Sequence, residues 1–357
     1  MKLKSLIMFS AAALAFAACS NDEENAMSQG DAVVRVQIST EDVTRALATP
    51  TPGEMGAERA VVVNSVTLEL SATKGEGTQT FYTSEENGSA LDQANKAVFT
   101  GVRLPSTLSV SINEGEAIME LAEVQTGLAA PMYASKPISA SDYDEDTKTY
   151  TVNFEMEHKT ALLEFSGIKH VDDDACSFAE GMIFDGLFMN NFNMKEDGTN
   201  ELTYYHSWAE ANVPANPLKD VIGESWQTPN AVWPATGSCY AYNVFPGLPI
   251  LTLCYSNVKA APGAVWVDGS ITGAGYATVD EYQLVDNTLT AEQKSAMGAD
   301  ENGVIKQFKK GYVYRFVDLE VPDEAIGNTV TGGEDVKVVA KIEVIPWILV
   351  SGQVTWN

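Results

Sequence analysis

The chain closes on Lys341-Ile-Glu-Val-Ile-Pro-Trp-Ile-Leu-Val-Ser-Gly-Gln-Val-Thr-Trp-Asn357. Residues up to Val344 alternate apolar and polar, as a half-buried strand does. Pro346 has no N–H to donate and interrupts the ladder. A second extended run follows. In it Ile348, Val350, Val354 and Trp356 face one way, and Trp347, Leu349, Gln353 and Thr355 the other. Chain ends are ordinarily polar and loose, so a Trp-bearing apolar strand at the terminus is a docked strand. Two docking places fit the pattern. It closes a β-sandwich of its own chain, or it enters a neighbouring copy of the protein.

The rest of the chain has the same β character. Short alternating runs are expected at Val61–Leu70, Thr80–Tyr82, Ala97–Val102, Thr107–Ile112, Ala117–Leu121 and Met132–Ile138. Turn residues such as Lys74-Gly-Glu-Gly77 separate them. Thr149–Phe165 alternates through Val152, Phe154 and Met156, breaks near His158, and resumes at Ala161, Leu163 and Phe165. Beyond that break the chain is more aromatic and less regular. Phe178–Phe192 is mixed, and Asn193–Val232 reads as long loops with a short helix near Ser207–Asn212. Tyr240–Val244 and Ile250–Tyr255 flank Phe245-Pro-Gly-Leu-Pro249 and are expected to form a hairpin. Thr290 caps a helix over Thr290–Met297, and Tyr312–Val321 is a strong strand. Many short strands and almost no helix indicate an all-β fold of sandwiches. At 357 residues the chain exceeds one ordinary core. Two domains are expected, 46–155 and 156–357.

Lys2 and Lys4 precede an apolar run, Leu6 to Phe16, that is too short to span a bilayer. Residues 1–18 therefore read as a signal peptide. Ala17-Ala18-Cys19 and the polar Ser20-Asn-Asp-Glu-Glu24 resemble the lipobox of bacterial lipoproteins, with Cys19 the lipidated residue. A polar tether leads to Val33-Val-Arg-Val-Gln-Ile-Ser39, in which Val34, Val36 and Ile38 face inward and Arg35 and Gln37 face water. A loop rich in Thr and Pro then isolates this strand, and Arg45 lies in its middle. Beginning a domain with one detached strand behind an arginine-bearing loop is unusual.

The chain carries 22 Lys and Arg against 49 Asp and Glu, a net charge of −27. Such a surface argues against nucleic acid and anionic membrane as partners. It suits a self-repelling subunit whose assembly needs a trigger. Cys239 and Cys254 would fall opposite one another across the expected hairpin. There they either form a disulfide, which an oxidising envelope permits, or pack as small apolar residues.

The three histidines, His158, His170 and His206, have no metal-binding spacing, and G-x-S-x-G, Walker and C-x-x-C motifs are absent. Asp142, Asp144 and Asp146 have the odd spacing of a calcium loop. Thr147 stands where that loop needs Gly, and Asn153 where it needs Glu. A solvated acidic turn is expected there, with no metal, no cofactor and no catalytic residues; the chain does not read as an enzyme.

Taken together these features resemble the fimbrillins, the type V pilins that anaerobic Gram-negative bacteria export as lipoproteins to build major fimbriae. The resemblance runs from end to end. It rests on Cys19 and its tether, and on the strand Val33–Ser39 with Val43-Thr-Arg-Ala46. Phe154–Phe165, Leu251-Thr-Leu-Cys-Tyr255 and the ending Trp347–Trp356 complete it. It implies two tandem transthyretin-like β-sandwiches behind a lipidated propeptide, residues 19–45, whose strand is removable. An arginine-specific protease would cut between Arg45 and Ala46, with Arg59–Ala60 a competing site. Head-to-tail strand exchange would follow, with Trp347, Ile348, Val350, Val354 and Trp356 on the donor strand. The implied partners are other copies, accessory fimbrial subunits and an unidentified host or bacterial surface ligand. The implied place is the cell-surface fimbrium, reached from a precursor held on the outer membrane by lipid. A different class of reading is a monomeric surface lipoprotein that binds glycans through Tyr204, Tyr205, Trp208 and Trp226.

Overall fold

The computed structural model describes residues 32–40, 61–125, 131–171, 178, 180–198, 202–228, 230–235, 239–259, 272–317, 319–330, 338–346 and 349–350. The first part holds β1 (Ala32–Thr40), β2 (Val61–Val62), β3 (Ser65–Ala72), β4 (Gly77–Tyr82) and helix α1 (Ala90–Ala94). It continues with β5 (Val98–Val102), β6 (Ser106–Ile112), β7 (Met132–Pro137), β8 (Tyr143–Asp144) and β9 (Thr149–Met156). Two four-stranded sheets result, ordered β5-β1-β9-β8 and β4-β3-β6-β7. Alternation decides which faces meet. Leu108, Val110 and Ile112 of β6 are buried, as are Val152, Phe154 and Met156 of β9. These residues and Val66, Leu68 and Leu70 of β3 share one apolar core, the arrangement of a β-sandwich. Helix α1 starts where the Ser89 hydroxyl accepts from the Asp92 N–H at 3.5 Å. It buries Ala90, Leu91 and Ala94, one face of a helix. Asn95 ends it, donating its N–H to Leu91 at 3.0 Å.

The second part holds β10 (Ala161–Phe165), β11 (Ile168–Val171), β12 (Ile183–Asn190), α2 (Trp208–Ala211), β13 (Lys219–Ser225), β14 (Val232–Trp233) and β15 (Tyr240–Val244). Then come β16 (Ile250–Lys259), β17 (Thr272–Leu284), α3 (Ala291–Ala296), β18 (Tyr312–Val317), β19 (Glu320–Pro322), β20 (Val338–Pro346) and β21 (Leu349–Val350). Eight of these strands form one sheet, β13-β12-β16-β17-β20-β18-β10-β15. Its edges are β13 and β15, yet the Tyr242 hydroxyl on β15 donates to the Asp220 carboxylate on β13. The sheet therefore curls until its edges meet. Inside lie Trp226, Trp233, Phe184 and Tyr255, with Trp226 stacked on Trp233 at 5.0 Å and edge-on to Tyr255 at 4.8 Å.

The two cores interlock. Leu162 of β10 and Val313 of β18 belong to the first core, while Met119, Leu121 and Val124 reach into the second. Two residues along the same strands, Glu164 and Arg315 form a buried ion pair at 3.2 Å. Removing one partner of such a pair strands the other charge.

Several expected elements are corrected. Val61–Leu70 is two strands, β2 and β3. Ala117–Leu121 is not a strand, because its chain crosses to the second core, where the Leu121 N–H bonds Met194 at 2.8 Å. Tyr240–Val244 and Ile250–Tyr255 do not pair. β15 bonds β10, whereas β16 bonds β12 and β17. Leu251 to Tyr255 are all buried, so both faces of β16 are covered and the strand takes an interior position. Cys239 and Cys254 consequently do not face each other, and no disulfide joins them. Cys254 packs with Phe188, Ala211 and Tyr276 instead, and burial pushes its thiol well above the ordinary range.

Candidate functional site: the slot held by the first strand

The detached strand expected at Val33–Ser39 is β1, and it lies inside a sheet. It runs parallel to β9 through eight residue pairs, from Val33 opposite Thr149 to Thr40 opposite Met156. On its other side it is antiparallel to β5, with Val34 opposite Phe99 and Arg35 opposite Val98. Val34, Val36 and Ile38 are 0%, 2% and 4% exposed and belong to the first core, while Arg35 and Gln37 face solvent. A strand bonded on both sides and buried on one face holds its sheet together. Taking it out would bare two strand edges and an apolar trough.

The β5 pairing stops at Arg35. Beyond it one side chain continues the ladder. Asn95 Oδ1 accepts the Ile38 N–H at 2.7 Å, and Asn95 Nδ2 donates to the Ile38 carbonyl at 3.3 Å. A side-chain amide carries both an acceptor and donors, so it can stand in for a peptide group of a missing strand. Sequence reading missed this pairing. The two residues are 57 apart, and the only local signal is an Asn just past a short helical pattern.

At the other end of the chain, β21 lies parallel to β2, with Leu349 opposite Val61 and Val350 opposite Val62. The C-terminal run thus meets its own chain directly after the arginine-bearing link. Cys19, Arg45, Ala46, Arg59, Ala60, Trp347, Ile348, Val354 and Trp356 lie outside the described residues. Val350 is placed only by its backbone pairing.

The remaining candidates resolve into structure. Of the four proposed sugar-binding aromatics, Trp226 is fully buried. Tyr205 packs against Phe188 and Phe192, and Trp208 against Phe188. Tyr204 is 42% exposed, with the His206 ring tilted against it 5.1 Å away. No shared platform forms. In the acidic turn, Asp144 Oδ1 accepts N–H groups from Asp146 and Thr147, and the Thr147 bond leads in holding its carboxyl below the usual range. His170 Nε2 sits 2.9 Å from Asp323 Oδ1, tying β11 to the turn Asp323–Ala325. Burial, with Asp220 and Glu224 adding to it, pushes Tyr240 up to about 12 beside the sheet's seam. Among the described residues no His, Cys, Asp and Glu group is arranged to hold a metal ion. No described helix is long and apolar enough to cross a membrane.

No family model matches the chain, and no curated protein does. Solved structures do. A fimbrilin from Porphyromonas gingivalis W83 is 12% identical, with 90% of this chain and 99% of that one covered and a TM-score of 0.47. A candidate cell adhesion protein from Bacteroides eggerthii DSM 20697 is 10% identical, with 90% and 96% covered and a TM-score of 0.46. Another from Parabacteroides distasonis ATCC 8503 is 9% identical, with 89% and 99% covered and a TM-score of 0.45. The chain is an all-β protein, and the solved structures it is similar to include a fimbrilin and candidate cell adhesion proteins.

Proposed function

We propose that this chain is a structural subunit of a bacterial surface fimbria, serving adhesion or biofilm formation, and that β1 is a placeholder for a strand of the next subunit. The observation that carries this reading is the contradiction in β1. It is central to its sheet and buried in the core, yet it joins the rest only through a link bearing Arg45 and Arg59. In this reading Cys19 carries the lipid, and cleavage between Arg45 and Ala46 removes β1. Eighteen basic and 43 acidic residues remain, a net charge of −25. The halves 46–155 and 156–357 are tandem transthyretin-like sandwiches.

Opening the slot leaves unpaired backbone groups, each costing about 1–3 kcal/mol when buried, on exposed edges that invite pairing. The C-terminal run of another copy offers the matching chemistry. Burying Ile348, Val350, Val354 and Trp356 is worth roughly 1.5–3 kcal/mol each, on the order of 10 kcal/mol at most before ordering and association costs. Acceptor and donor lie on different parts of one subunit, so the contact is head to tail and builds a filament. A chain with both fits the shaft better than the tip, which need not donate, or the anchor, which need not shed its lipid.

The test is limited digestion of the full precursor with an arginine-specific protease, followed by N-terminal sequencing and an unboiled gel. A new terminus at Ala46 with a ladder of oligomers is the expected result. Cutting there without a ladder makes the chain a terminal subunit. A folded precursor that resists cutting at Arg45 sinks the mechanism.

A further inference from the structure

We propose that Asn95 is a backbone clamp for whichever strand occupies the slot, gripping Ile38 in the precursor and the C-terminal strand of a second copy after exchange. The second half of this inference rests on the strand-exchange reading; the first does not. β5 ends its pairing at Arg35, and Asn95 takes over with both halves of its amide on Ile38. Its position is fixed from behind. It caps the C-terminal end of α1, its N–H bonded to Leu91 and Gln93, and α1 buries Ala90, Leu91 and Ala94 in the same core as Ile38. The backbone of Asn95 is therefore anchored beside the slot by hydrogen bonds that do not involve β1, and its side chain reaches from there to Ile38.

The grip touches only main-chain atoms, so it is blind to the side chain it holds. That is what an acceptor needs if two unrelated sequences, Val33–Ser39 and Trp347–Trp356, must use one slot in turn. It does impose two conditions. The gripped residue must have an N–H, which excludes Pro346. Its side chain must point inward as Ile38 does, because both polar groups of a strand residue project to one edge while side chains alternate between faces. Of the C-terminal run, Ile348, Val350, Val354 and Trp356 meet both conditions. The clamp thus confines the grip to alternate, inward-facing residues as well as adding affinity.

The experiment compares the full-length wild type with Asn95→Ala and with Asn95→Asp, which keeps the oxygen acceptor and removes the donor. Amide hydrogen exchange is measured on each uncut precursor. Dissociation of the oligomer ladder in urea is measured after cleavage. Because Asn95→Ala deletes both hydrogen bonds of the grip, it should speed Ile38 exchange and oligomer dissociation about tenfold each. Val34 protection should stay unchanged, and Asn95→Asp should fall between. Unchanged Ile38 exchange in Asn95→Ala overturns the clamp. Faster Ile38 exchange with unchanged oligomers overturns its second role, leaving a precursor grip only. A wild type that is cut and forms no ladder removes strand exchange itself. That failure is recognisable because the precursor exchange result still stands.

Discussion

The two cores are built to opposite rules. In the second, every strand of the large sheet is supplied by residues 161–346, and the edges are drawn together by Tyr242 and Asp220. In the first, the sheet's second strand comes from residues 32–40, before a link of twenty residues, and one edge of its ladder is finished by a side chain. The second core is closed. The first is completed by a strand that enters its middle from across that link. If β1 is exchanged as proposed, the exchange is confined to the first of the two cores.

Three perturbations press on that contrast. The largest is Trp226→Ala, which empties the centre of the closed core. It should cost about 3–5 kcal/mol, equally before and after cleavage at Arg45, as read by denaturant unfolding of both forms. Val36→Ala should cost roughly 2 kcal/mol in the precursor and nothing in the cleaved chain, where that residue has been shed. A penalty that persists after cleavage would show that β1 is retained. The smallest effect concerns the seam. Tyr240 is held neutral by burial and by Asp220 and Glu224. Its folded value lies above the ordinary 10. Its contribution is thus fully present below pH 10 and is lost as pH rises through about 12. Asp220→Asn keeps an oxygen to accept from Tyr242 and removes one charge. Phenolate absorbance should then show Tyr240 ionising at lower pH, with the cleavage reaction unaffected.

How much of this was legible follows from the range of the forces involved. β1, β6 and β9 were readable because one face is buried and the other wet, which writes a period of two into the sequence. The placement of Val34, Val36 and Ile38 followed from that alone. β13 was not readable, since Lys219-Asp-Val-Ile-Gly-Glu-Ser225 is an edge strand with little to bury. β17 was hidden by its glycines. Gly275 is required there because a Cβ would come within 2.8 Å of Ile326. The hairpin failed for the converse reason. Pro246 and Gly247 are a genuine turn signal, but the burial of both faces of β16 outweighed the local geometry. Asn95 lay beyond reach because its meaning exists only once a residue 57 positions away is beside it.

The parallel run of β1 along β9 has a mechanical consequence. A strand gripped along its length and pulled along its own axis loads all its rungs at once, whereas one pulled sideways peels them singly. Eight registered pairs under shear therefore resist tension far better than the same eight in series. If the replacing strand keeps this register, single-molecule pulling along the filament should require a much higher rupture force than pulling across it. The joint between subunits would then be strong in the direction in which flow tugs on a surface appendage.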